Sequence, residues 1–240
     1  MSTDRTTRPR SAALRSATAA TRRRHGLLTI LGAAIAIIAV VAGVAFLVQR
    51  GPAESGAVTE SGAATAVHGS EKYPYAIGEP GPGEQAPGFA LPSSTGGDIS
   101  LSDYRGQSVL LYFQEGVMCQ ACYDQITDLE KRAADIEAAG VDQILSITTD
   151  PVDVSVQKMR DMGLSTPVLA DTDLTVSEKY DTNSYGMMGD TRNGHTFMLI
   201  SPEGEIRWRA DYGGEPNYIM YLPVDQLLAD MEAGPDQGGA

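Results

Sequence analysis

Hydrophobic positions along the chain fall into three regimes. Residues 27–48 form one uncharged, almost wholly apolar run with no polar face. Residues 51–83 are rich in Gly, Ala, Ser, Glu and Pro and show no period, a composition that buries too little surface to fold. From about residue 84, short apolar runs alternate with helical spacings. Residues 108–113 read as a central strand, apolar on both faces. Cys122, Ile126, Leu129, Ala133 and Ile136 follow the i, i+3, i+4 rule, so a helix is predicted over 119–139, with Gly140 as its stop.

The same reading gives a short alternating piece at 99–101 and a turn at 103–107. Strands are predicted over 141–148, 168–170 and 196–201, and helices over 152–162 and 174–180. Pro202, Glu203 and Gly204 make a turn, 205–209 returns as a hairpin partner, and 224–231 closes the chain as a helix. Strand and helix in alternation, then a hairpin and a helix, predict an α/β domain over 84–232: a mixed central sheet flanked by helices. Residues 49–83 are expected to be a disordered linker and 233–240 a disordered tail.

A helix over 27–48 would span roughly 33 Å at about 1.5 Å per residue, enough for the hydrocarbon core of a bilayer. Arg22, Arg23 and Arg24 precede it and Arg50 alone follows. Positive residues stay on the cytoplasmic side, so residues 1–26 are expected inside and the domain outside the cell membrane, on a single-pass anchor. The competing reading is a cleaved signal peptide with a small-residue site near Ala42 and Ala45. Both readings place the domain in an extracytoplasmic, disulfide-permissive space.

Net charge is -13 although Arg5, Arg8, Arg10, Arg15, Arg22, Arg23 and Arg24 crowd the N-terminus. The remainder is therefore strongly acidic, which argues against nucleic-acid binding. There are two cysteines, Cys119 and Cys122. A disulfide that closes so short a loop stabilises little, so chemistry is the better use for the pair.

The pair opens a helix just after a buried strand. There the unpaired N–H groups and positive dipole end favour thiolate at Cys119. Cys122 lies one turn later on the same face, placed to attack a mixed disulfide formed at Cys119. Thiol–disulfide exchange is the reaction these residues point to, with no cofactor expected. Histidines and further cysteines are too few for an ordinary structural zinc site.

Gly83, Ala86, Pro87, Phe89 and Leu91, then Leu101, Ser102, Asp103, Tyr104, Arg105 and Gly106, then the strand, the C-x-x-C and its helix, resemble the redoxin branch of the thioredoxin superfamily. That branch includes membrane-anchored reductases of the TlpA/ResA type and the AhpC/TSA peroxiredoxins. Residues 196–204 are similar to the strand and hairpin that close such folds. The resemblance implies a thioredoxin-like fold and a thiol–disulfide oxidoreductase. Its partners would be cysteine-containing proteins and a membrane thiol electron donor or acceptor.

The sequence departs from these families at several places. Met118 stands where thioredoxins usually carry Trp, and His195 where they carry their cis-proline. Tyr112 and Gly116 occupy the Pro and Thr places of the peroxiredoxin motif Pro-x-x-x-Thr-x-x-Cys. Gly194 stands where the peroxidase arginine is expected, with Arg192 close by. Peroxidase activity is thus the second reading. A third is a Sco-like copper chaperone, with Cys119, Cys122 and His195 as Cu(I) ligands. Accessory candidates are His195, for the thiolate at Cys119, and Glu115 or Asp124, as the base for Cys122.

Overall fold

The computed structural model describes residues 68–234. The apolar run at 27–48 and the tail beyond 234 lie outside these residues. Among the described residues no helix is long and apolar enough to cross a membrane.

The centre is a five-stranded mixed sheet in the order β7-β6-β5-β8-β9. Strand β5 (Val109–Phe113) pairs in parallel with β6 (Gln143–Thr148), which pairs in parallel with β7 (Val168–Ala170). On its other side β5 meets β8 (Thr196–Ile200) antiparallel, and β8 meets β9 (Ile206–Asp211) antiparallel. All five residues of β5 are buried, as their continuous apolar run predicts.

The two-residue period of β5 divides the core. Leu110 and Tyr112 point to one face, where helices α1 (Gln120–Lys131), α2 (Ala133–Ala138), α3 (Val152–Met162) and α5 (Val224–Ala233) pack. Val109, Leu111 and Phe113 point to the other face. There they meet the short helix α4 (Thr175–Lys179) and the hairpin of β3 (Ala90–Pro92) and β4 (Asp98–Ser100). The helix expected over 119–139 is two helices. Arg132 leaves helical torsions at φ -106°, ψ 21°, and its guanidinium is drawn to Asp135 and to Asp225 of α5.

The expected linker is ordered from His68. Strands β1 (His68–Gly69) and β2 (Pro74–Tyr75) pair with each other, and the chain then runs along β9. Ala76 exchanges backbone hydrogen bonds with Asp211 at 2.9 and 3.1 Å, and the Gly83 N–H donates to the Ile206 carbonyl. Tyr75 is buried against Trp208 and Tyr212. Composition alone missed this because the segment has no hydrophobic face of its own; it borrows the edge of a strand far along the chain.

Candidate active site

Parallel pairing of β5 and β6 sets the C-terminal ends of the two strands side by side. The loop 114–118 leaves β5 there and delivers Cys119 to the start of α1. Cys119 is the N-cap of that helix, and its Sγ accepts the Cys122 N–H at 3.2 Å. The two cysteines are joined as a disulfide, with 5.4 Å between their Cα atoms. Cys119 is half-buried and Cys122 is fully buried. An incoming thiolate therefore meets the sulfur of Cys119, and on reduction the negative sulfur is left beside the first turn of a helix.

The accessory residues fall in different places. Glu115 is buried, and its Oε1 accepts the Met187 N–H at 3.0 Å. Burial pushes its carboxyl above the usual range, against the Met187 amide and the Arg192 charge, which pull it down. Its hydrogen bond runs to the 186–192 segment and not to either sulfur. Asp124 is exposed on α1 and accepts from Gln120 at 2.8 Å, one turn back along the surface. That bond lies on the helix surface.

His195 is fully buried, and burial lowers its pKa to about 3. Its ring packs edge-on against Tyr112, Phe197 and Tyr212. Its Nδ1 is 3.0 Å from the Tyr112 hydroxyl, which also lies 3.4 Å from the Cys122 carbonyl oxygen. Nε2 is buried without a hydrogen-bond partner. The polar contact of His195 thus runs to Tyr112 and, through that hydroxyl, toward the Cys122 carbonyl. Among the described residues, no group of three or more His, Cys, Asp or Glu side chains is arranged to hold a metal ion.

Two residues given no part in the dithiol site by the sequence hold the loop from outside, Asp150 and Arg192. Asp150, buried at the end of β6, accepts the Val117 N–H at 2.5 Å and pairs with Arg192 at 2.7 Å. Arg192 also donates to the Glu115 carbonyl at 2.8 Å. Gly116 has φ +104°, and a Cβ there would lie 2.1 Å from the Asp150 Oδ2. The signal available was positional: Asp150 lies two residues past the strand predicted over 141–148.

The sequence model of the AhpC/TSA family matches residues 82–209. Peroxiredoxin Bcp of Escherichia coli K12 is 32% identical over 127 residues, which cover 52% of this chain and 81% of Bcp. The thiol-disulfide oxidoreductase ResA of Bacillus subtilis is 30% identical over 125 residues, covering 52% of this chain and 64% of ResA. The crystal structure of peroxidoxin BcpB from Mycobacterium tuberculosis superposes with a TM-score of 0.53 at 20% identity, over 63% of this chain and 96% of BcpB. That likeness bears on the fold alone, which is the mixed α/β fold of thioredoxin-like proteins.

Proposed function

The chain belongs to the AhpC/TSA family, and from that premise we propose that it is a membrane-anchored thiol–disulfide oxidoreductase working outside the cytoplasm. It is a thiol redox enzyme, and the proposal assigns that chemistry to Cys119 and Cys122. The observation that carries it is the asymmetry of the disulfide: a reachable sulfur at the N-cap of α1 and a buried sulfur one turn on.

In the reductive direction, the Cys119 thiolate attacks one sulfur of a protein disulfide. A bond forms between them, and the other substrate sulfur leaves as a thiolate. Cys122 loses its proton and attacks the Cys119 sulfur. The internal disulfide forms, the second substrate thiolate departs, and two electrons have passed to the substrate. A membrane dithiol donor then returns the enzyme to its reduced form, and an acceptor would drive the same steps backwards.

Similarity to Bcp supports a peroxidase reading, which ranks second on the residues themselves. The place of the peroxide-binding Thr hydroxyl is Gly116, packed against Asp150, and Arg192 is occupied by Asp150 and the Glu115 carbonyl. The deciding experiment assays the full chain in parallel for reduction of insulin disulfides and for consumption of hydrogen peroxide, both with dithiothreitol, with Cys119→Ser as control. Insulin reduction that Cys119→Ser abolishes, with little peroxide turnover, is the expected result. Rapid peroxide turnover without insulin reduction would reverse the ranking.

A further inference from the structure

The loop 114–118 joins β5 to α1; past the Gln114 N–H, which donates to the Ile147 carbonyl of β6 at 3.0 Å, its backbone groups must be satisfied from elsewhere. The Gly116 N–H donates to the Gln114 side chain at 2.8 Å, and the Cys119 N–H donates back to the Gly116 carbonyl at 2.9 Å. Two further backbone anchors are supplied by side chains outside the loop. Asp150 Oδ2 accepts the Val117 N–H at 2.5 Å, and Arg192 Nη1 donates to the Glu115 carbonyl at 2.8 Å. The same Nη1 donates to Asp150 Oδ1 at 2.7 Å. Asp150 and Arg192 therefore close a ring around the Glu115–Val117 backbone, gripping it two residues apart. Nothing intervenes between that backbone and Asp150, because residue 116 has no side chain and any Cβ there would strike the carboxylate or Thr148.

We propose that Asp150 and Arg192 are positioning residues for the redox pair: together they clamp the loop so that Cys119 is held as the N-cap of α1. The inference rests on the reading of Cys119 as the attacking sulfur. An ion pair that served stability alone would leave the chemistry of that sulfur unchanged when removed. A clamp that sets its place at the helix N-terminus would not, because ionisation of a cap thiol depends on its alignment with the first-turn N–H groups.

The test removes both charges at once, so that no unbalanced charge is left near the sulfur. The full chain and its Asp150→Asn/Arg192→Gln variant are reduced with a phosphine and pulsed with iodoacetamide from pH 5 to 9. Alkylation of Cys119 is read from its peptide by mass spectrometry, and folding by circular dichroism. In the folded variant the alkylation midpoint moves to higher pH, and the rate at pH 7 falls about tenfold. An unchanged midpoint and rate in a folded variant would overturn the clamp. Should the double variant fail to fold, Gly116→Ala keeps both charges and forces Asp150 off the loop. The same upward move is expected of it, and a parent-like titration overturns the proposal. Alkylation reads ionisation and not turnover. A parent chain that reduces no disulfide would therefore refute the oxidoreductase reading, whereas parent-like titration of the variants refutes only the clamp.

Discussion

His195 lies wholly inside the domain, and burial takes its pKa from 6.5 to about 3. The unfolded chain takes up a proton there near pH 6.5 and the folded chain does not until about pH 3. Between those values the unfolded state binds more protons, so stability declines as pH falls through that window, by at most about 1.4 kcal/mol per pH unit. His195→Phe removes the titrating group and leaves the Tyr112 hydroxyl its bond to the Cys122 carbonyl. Urea unfolding at pH 7, 5.5 and 4.5 should show a shallower acid decline for the variant; equal slopes would mean that the ring is hydrated in the folded protein. Gly116 is the second residue whose role follows from local geometry. At φ +104° and with Asp150 against its Cα, Gly116→Ala should cost about 1–3 kcal/mol, read from the same urea curves. The cysteine pair was legible in sequence because its chemistry depends on spacing along one helix. Asp150 was not, because its role is created by the neighbouring strand and by Arg192, far along the chain.

At the scale of elements, the strands and helices that carry their own period were legible. Helix α3 matches its predicted bounds, and β5, β7 and β8 fall within a residue of theirs. Elements that exist by pairing were not: β1, β2 and β3 are short and have no period to read. The segment before residue 84 shows what such elements contribute. Asp211 of β9 accepts the Gly78 N–H and the Thr196 hydroxyl and pairs with fully buried Arg209. Arg209 in turn donates to the Pro80 carbonyl. Residues 74–83 therefore cover both an open strand edge and a buried ion pair. A domain that starts at Glu84 would expose both, and water or another chain would pair with β9. It should unfold at lower urea than a domain that starts at His68 and should self-associate in sedimentation. Equal stability and a clean monomer would show that the segment is only draped over the edge.

At the scale of the whole molecule, the two ends of the chain have opposite electrostatic characters. The arginines of residues 5–24 precede the apolar run at 27–48, while the chain as a whole carries -13. An acidic domain on the far side of an apolar span, with the basic segment held on the cytoplasmic side, satisfies the charge rule for one-span proteins. On the proposed topology the redox pair would lie where disulfides persist. In membranes washed with alkaline carbonate, the full chain stays in the pellet, whereas a chain that begins at His68 is released. Protease added to sealed right-side-out membranes degrades the domain and leaves a small protected N-terminal fragment. Release of the full chain by carbonate would point to cleavage of the apolar segment. Protection of the domain from external protease would place Cys119 in the reducing cytoplasm. The disulfide would then be a transient of the catalytic cycle, and the partner a soluble cytoplasmic reductant.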